Sequence, residues 1–209
     1  MIRWFVLGGV ACALFVALGI AVTGQPAGVD LSVAGALQGL WRGTFGEATL
    51  VVSDLLGIVV PDAFAIALFV SAVLCRYRGL RREFLVVVKV MPVLVVTRLT
   101  SAVGKPLFLR VRPRSYPQFS YPSGHVVAIA ATGLCAVLLC VWLAPWLTRV
   151  AAASFAAATV LVAVTRLILG VHWLTDTVGS VLAVLGTGLV VAAGVRLLPG
   201  PMPVTSVAA

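Results

Sequence analysis

Six long apolar runs constrain the fold of this chain more than any other feature of its sequence. A helix needs about 20 apolar residues to cross the hydrocarbon core of a bilayer. Six such helices leave room in 209 residues for loops and ends, but not for a second domain. We therefore predict an all-α, polytopic membrane protein with six transmembrane helices and a single domain, 1–209. The runs cover approximately 4–22, 62–75, 84–103, 125–146, 151–170 and 175–198.

The composition agrees with this architecture. The chain is 62% hydrophobic and 10% charged, whereas soluble domains are about 45–50% apolar and about 25% charged. The formal net charge is +9. In a soluble protein this surplus would suggest a nucleic-acid partner, but in a membrane protein it reports topology and phosphate contacts. We expect a lipid bilayer as a partner, and no nucleic acid.

Three stretches at the edges of the runs need separate interpretation. The run at 4–22 resembles a signal peptide, but its apolar stretch exceeds the usual length of about 7–15 residues, which favours a first spanning helix. The run at 62–75 is short, and Leu55–Val60 can lengthen it ahead of Pro61. The segment 199–209 is rich in proline and small residues and is predicted to be disordered.

The connection between the first two runs is too polar to cross a membrane. Within it, apolar residues and one threonine recur at helical spacing. This pattern predicts a short amphipathic helix at the outer interface, and a loop packed on the bundle is the alternative. The residues concerned are Leu37, Leu40, Trp41, Thr44 and Phe45.

The distribution of basic residues predicts the orientation. Four arginines lie within 76–82, and cytoplasmic loops carry an excess of Lys and Arg. This side and both termini are therefore predicted to be cytoplasmic. A second basic cluster then lies on the extracytoplasmic side, which is an exception to this distribution of Lys and Arg. We expect that its function is to bind an anion. It consists of Lys105, Arg110, Arg112 and Arg114.

The four cysteines, Cys12, Cys75, Cys135 and Cys140, lie within or at the end of apolar runs. They form no CxxC pair and none has a neighbouring histidine at metal-ligand spacing. We interpret them as small buried hydrophobic residues, which predicts neither a disulfide framework nor a zinc site.

Two short stretches before the fourth run carry unusual polar residues. Lys105 and Arg112 could hold an anion or form a belt that contacts lipid head groups. In the second stretch, Ser123 occupies an N-cap position and Gly124 lets the backbone approach closely, so the helix N-terminus could cradle a phosphate. A plain turn with a capping serine would look similar. His125 adds a proton donor at this point.

The third stretch contains Arg166, His172 and Asp176. His172 and Asp176 are four residues apart, and Asp176 is the only carboxylate after Glu83. A carboxylate at this spacing can hold one ring nitrogen of His172 and leave the other free as a nucleophile or base.

Six-span topology places all three stretches at the outer ends of adjoining helices. The cations, the helix N-terminus, two histidines and one acid suit in-line displacement at a phosphate. Two-metal phosphatases need several more carboxylate or histidine ligands, so we expect no metal and no other cofactor.

Two further cations lie inside the third run. A charged side chain inside a membrane span costs free energy, so its presence there indicates a function. Arg98 is seven residues before Lys105 and shares nearly the same helix face. It is expected either to support the site or line a substrate channel, or to form an interhelical ion pair. Lys89 is predicted to extend to the cytoplasmic interface.

The spacing of these residues resembles the type 2 phosphatidic acid phosphatase superfamily, which includes bacterial membrane lipid phosphatases and soluble vanadium haloperoxidases. The matching pattern covers 105–176. The family usually has serine where this chain has Thr165, which keeps the hydroxyl and would support the site beside Arg166. The motifs read Lys105-x6-Arg112-Pro113, Pro122-Ser123-Gly124-His125 and Arg166-x5-His172-x3-Asp176.

The resemblance implies a role for each motif residue. His172 would attack phosphorus, Asp176 would orient it, and His125 would protonate the leaving oxygen. No metal would be required, and the family's membrane members place this site at the outer leaflet of a six-helix bundle. The phosphate oxygens would be held by Lys105, Arg112, Ser123, Gly124 and Arg166.

The function predicted from these observations is a lipid phosphatase in a bacterial-type plasma membrane, with its active site on the extracytoplasmic side. Prenyl pyrophosphate, phosphatidylglycerol phosphate and phosphatidate are all candidate substrates. The alternatives are a phosphotransferase with an acceptor other than water and a non-catalytic lipid-binding or transport protein. A haloperoxidase is disfavoured because that branch is soluble. The sequence leaves the oligomeric state open.

Overall fold

The computed structural model describes residues 1–198, and the predicted disordered tail at 199–209 lies outside them. Within the described range the chain forms eight α-helices and no strands. They are α1 (Ile2–Thr23), α2 (Gly28–Ala36), α3 (Gly43–Asp54), α4 (Val60–Tyr77), α5 (Arg81–Phe108), α6 (Gly124–Leu143), α7 (Thr148–Ile168) and α8 (Leu174–Gly194).

Six helical segments in this range are long and apolar enough to cross a membrane, which confirms the predicted all-α, six-span architecture. Large apolar side chains remain exposed on their outer faces, as expected for helices that face lipid. The segments are Ile2–Thr23, Gly43–Tyr77, Arg81–Phe108, Gly124–Leu143, Pro145–Ile168 and Leu174–Gly194.

The second span, Gly43–Tyr77, is much longer than the apolar run predicted at 62–75. The reason is that a π-helical segment, Leu55–Val59, joins α3 and α4 without interruption. Pro61 explains the π segment. Proline has no N–H and its ring collides with the carbonyl four residues earlier in a regular α-helix. The Val60 N–H bonds to the Leu55 carbonyl, five residues back, and this wider turn carries the helix past the proline.

A short helix does lie between the first two spans, but it is α2 and not the predicted amphipathic stretch. Leu37, Leu40 and Trp41 lie in turns, whereas Thr44 and Phe45 already belong to α3. The physical reason is a pair of glycines, one inside the turns at position 39 and one at the start of α3, at position 43. Both take left-handed φ angles, +87° and +65°, which end a helix but do not continue it.

The bundle is held together by close helix contacts around α8. Gly8 of α1 faces Gly186 of α8, and a Cβ at Gly8 would lie 2.9 Å from the Gly186 carbonyl oxygen. Such contacts between small residues bring membrane helices together. α5, α6 and α8 contribute buried valines to a common core, including Val90, Val127 and Val184. This packing sets the C-terminal ends of α5 and α7 beside the N-terminal ends of α6 and α8.

Candidate active site

The three polar stretches meet at this end of the bundle. Arg112 Nη1 lies 3.2 Å from His172 Nε2, and a Cβ built on Gly124 would lie 3.9 Å from Lys105 Nζ. Arg166, at the end of α7, acts electrostatically on both His125 and His172. The three motifs therefore lie at one end of the bundle, although 71 residues separate Lys105 from Asp176 in the sequence.

His172 is held between a carboxylate and a guanidinium. Asp176 Oδ2 lies 3.3 Å from His172 Nδ1 and also accepts the Trp173 N–H at 2.8 Å. On the other side of the ring, Arg112 donates to Nε2, because a guanidinium has no acceptor. The arrangement therefore favours the tautomer with hydrogen on Nδ1 and a lone pair on Nε2.

Burial keeps this ring neutral. His172 is 3% exposed, and its burial is the main cause that lowers its pKa to about 4. Asp176 acts in the opposite direction, whereas the cations Arg112 and Arg166 act in the same direction as burial. At neutral pH Nε2 is thus unprotonated, and its lone pair accepts the hydrogen bond from Arg112.

Asp176 has a second partner that sequence reasoning missed. Arg110 is 2% exposed, and its Nη1 pairs with Asp176 Oδ1 while its Nη2 lies 2.6 Å from Asp30 Oδ2. Thr175 donates its N–H to Asp30 Oδ1 at 2.9 Å and its hydroxyl to Oδ2 at 2.7 Å. Although burial opposes it, these bonds from Thr175 and Arg110 lower the pKa of Asp30. The network locks α2 onto the start of α8.

His125 also has a carboxylate partner that was missed. Asp54 Oδ1, at the end of α3, lies 3.1 Å from His125 Nε2. Gly57, in the π segment, packs against the same ring, because a Cβ there would lie 2.6 Å from His125 Cδ2. The second span therefore contributes directly to the site, which its sequence did not indicate.

The loop before α6 is anchored by aromatic packing. Tyr121 stacks on Phe15 of α1 with ring centroids 5.3 Å apart, and its hydroxyl donates to the Phe15 carbonyl at 2.6 Å. Ser123 is fixed by Ser180 of α8, whose hydroxyl accepts the Ser123 N–H at 2.9 Å. These contacts position the N-terminus of α6 beside the cations.

Three buried donors in this region have no hydrogen-bond partner among the described residues, namely Arg166 Nε, Ser123 Oγ and Arg110 Nε. Arg166 is 4% exposed and Ser123 is fully buried. Most buried polar groups are hydrogen-bonded, and an unpaired one costs about 1–3 kcal/mol. An anion that accepts hydrogen bonds from Arg166 Nε and Ser123 Oγ would supply the missing partners, which makes a phosphate group a suitable ligand.

The two supporting residues predicted from the sequence make local contacts. Arg98 Nη2 forms an ion pair with Asp62 Oδ1 of α4 at 2.8 Å, and Arg98 also lines a pocket of about 410 Å³ together with Lys105 and Gly124. Thr165 donates its hydroxyl to the Val162 carbonyl at 2.7 Å. In the described part of the chain, no three His, Cys, Asp or Glu side chains form a cluster that could hold a metal ion.

The family model of the PAP2 superfamily matches residues 86–197, which is more than half of the 209 residues. The chain belongs to the PAP2 superfamily. All three PAP2 motifs, from Lys105 to Asp176, lie inside the matched region, whereas Asp30 and Asp54 precede it. The comparison with curated proteins finds no match.

A solved structure supports the fold of this PAP2 protein. The first transmembrane PAP2 type phosphatidylglycerolphosphate phosphatase from Bacillus subtilis is 24% identical and superposes with a TM-score of 0.68. The match covers 90% of this chain and 94% of that one, so the two share their helical architecture. Membership of the PAP2 superfamily supports a membrane lipid phosphatase, a phosphoric monoester hydrolase.

Proposed function

We propose that this protein hydrolyses a phosphate monoester or pyrophosphate of a membrane lipid through a phosphohistidine intermediate, without a metal. The observation that carries the proposal is the state of His172. Its ring is buried and neutral, Asp176 accepts the Nδ1 proton, and Nε2 faces the cation of Arg112.

In the first step, the Nε2 lone pair of His172 attacks phosphorus in line with the leaving oxygen. The bond between phosphorus and the lipid oxygen breaks, and that oxygen takes a proton from His125. The products are phosphohistidine and either the lipid alcohol or, for a pyrophosphate, the lipid monophosphate. The charge that Asp176 provides stabilises the imidazolium character that develops on His172.

In the second step, water attacks the phosphohistidine and gives a proton to His125, which now acts as a base. The bond between phosphorus and Nε2 breaks, and its electron pair returns to His172. Inorganic phosphate leaves, and both histidines regain their starting protonation. The sum of the two steps is the hydrolysis of one phosphate bond by one water molecule.

The phosphate oxygens that carry charge in both steps are assigned to the surrounding donors. Arg166 Nε and Ser123 Oγ lack other partners among the described residues, and the Gly124 N–H lies at the N-terminus of α6, which favours anions. Lys105 and Arg112 complete the set. Donors fixed before the reaction stabilise the transition state without reorganisation.

The membrane placement is part of the proposal. The arginines of 76–82 are assigned to the cytoplasmic side of a bacterial-type plasma membrane, because cytoplasmic loops are rich in Lys and Arg. The site then lies on the extracytoplasmic side, where it receives prenyl pyrophosphate, phosphatidylglycerol phosphate or phosphatidate at the interface.

The test is phosphate release from these three lipids by the purified protein in detergent, with and without EDTA. We expect turnover of at least one lipid in EDTA and its loss in His172→Ala. Turnover by His172→Ala at the native rate would contradict the mechanism. A phosphorylated acceptor in place of free phosphate would indicate a phosphotransferase, and lipid binding without turnover would indicate a non-catalytic protein.

A further inference from the structure

We propose that Asp54 is a positioning residue that prepares His125 for proton transfer to the leaving group. The inference rests on the proposed function, because it concerns the same reaction. Asp54 lies outside the PAP2 region, which begins at residue 86, and outside the three motifs. It therefore adds a fourth segment of the chain to the site.

The first argument is the hydrogen bond between Asp54 and His125. Their Oδ1 and Nε2 atoms are 3.1 Å apart. A carboxylate only accepts hydrogen bonds, so Nε2 carries a proton and donates it to Asp54. The other ring nitrogen, Nδ1, is then the one that gives its proton to the leaving oxygen and receives a proton from water in the second step.

The second argument is the fit of the second span around the ring. Asp54 and Gly57 are three residues apart and share a helix face. A Cβ at Gly57 would lie 2.6 Å from His125 Cδ2 and 2.8 Å from its Cβ, so any side chain there would displace the ring. The π segment caused by Pro61 begins directly after Asp54, which places this contact at a local widening of the helix.

The third argument is charge. His125 must hold a proton close to Lys105 and Arg166, which act on it as cations. Asp54 supplies the only carboxylate within hydrogen-bonding distance of His125 in the described part of the chain. Each histidine therefore has its own aspartate: Asp176 on Nδ1 of His172 and Asp54 on Nε2 of His125. The first arrangement prepares a nucleophile and the second prepares an acid.

The test compares two substrates that differ in their need for an acid. The leaving oxygen of a lipid phosphate needs a proton from a general acid, because an alkoxide is a poor leaving group. The p-nitrophenolate ion is a good leaving group and departs from phosphorus without a proton. We expect Asp54→Asn to lower kcat/KM for the lipid phosphate about 10-fold or more, because it weakens a general-acid contribution whose complete loss costs about 10²–10⁴-fold. For p-nitrophenyl phosphate we expect a loss of less than about 2-fold. The ratio of the two values on one preparation does not depend on the folded fraction.

The control is Glu47→Gln, which removes an exposed carboxylate from the same helix and should leave the ratio unchanged. Gly57→Ala is a second variant, whose added Cβ pushes the ring and should lower the ratio in the same direction. An unchanged ratio in both Asp54→Asn and Gly57→Ala would overturn the inference while leaving the phosphatase intact. Failure of the wild-type protein to hydrolyse either substrate would overturn the proposed function, and this inference with it.

Discussion

Nδ1 of His172 lies 3.3 Å from Oδ2 of Asp176, four residues further along the chain. The same carboxylate uses its other oxygen to pair with Arg110. Asp176 is therefore fixed by one partner while it orients the other.

The first prediction concerns this pairing. Asp176→Asn replaces an acceptor by an amide that also donates, so the preferred tautomer of His172 is lost. We expect kcat to fall by about 10²-fold or more, since an equivalent change in a Ser-His-Asp triad costs about 10⁴-fold. The measurement is phosphate release together with acid-labile phosphate trapped on the denatured protein. Glu47→Gln, which removes an exposed carboxylate, is the control. Near-native trapping in Asp176→Asn would contradict the assignment.

The second prediction concerns the charge state of His172. Because its pKa is lowered to about 4, the ring should stay neutral from pH 7.5 down to about pH 5.5 and gain a proton only as the pH falls through about 4. The chain has two histidines, so His125→Asn leaves a single ring signal for NMR. A titration midpoint near the ordinary value of about 6.5 would show that the ring is not buried as described.

The third prediction concerns the buried network around Arg110. Arg110→Gln leaves Asp30 and Asp176 buried without a cation, and breaking a buried pair in this way costs about 3–5 kcal/mol. We expect a clear fall in the midpoint of thermal unfolding in detergent. Arg114→Gln is the matched control, because its partly exposed guanidinium lies over the Trp41 ring at 4.3 Å and has no carboxylate partner among the described residues. Equal unfolding midpoints for the two variants would argue against a structural role for the network.

The fourth prediction concerns orientation in the membrane. In a background without the four native cysteines, Ser115→Cys should react with an impermeant maleimide in intact cells, because it lies in the loop between α5 and α6. Arg78→Cys, in the loop between α4 and α5, should react only after lysis. The reverse pattern would place the site on the cytoplasmic side.

Features with local causes were accessible from the sequence. The six spans follow from runs of apolar residues, since each helix satisfies its own backbone hydrogen bonds in lipid. The proximity of His172 and Asp176 follows from their spacing of four residues. The prediction of an amphipathic helix was wrong although its cause is also local. The glycines at positions 39 and 43 take left-handed φ angles, and the prediction followed the apolar pattern and did not consider them.

Contacts between segments that are distant in the sequence could not be predicted from it. Asp54 and His125 are 71 residues apart, and Asp30 and Arg110 are 80 residues apart. In the sequence, both aspartates lie in the polar connection between the first two runs, and neither belongs to a motif. No periodicity relates them to their partners.

The sequence by itself determined the spans, the order of the motifs and the chemical types that meet at the site, because these depend on composition and on short spacings. Only the tertiary structure decided which acid serves His125 and which cation pairs with Asp176. That choice depends on how α2 and the second span pack against α6 and α8. A buried charge is tolerated only where packing brings it a partner, as Arg110 does for Asp176. The same packing brings the partly exposed Asp54 to His125.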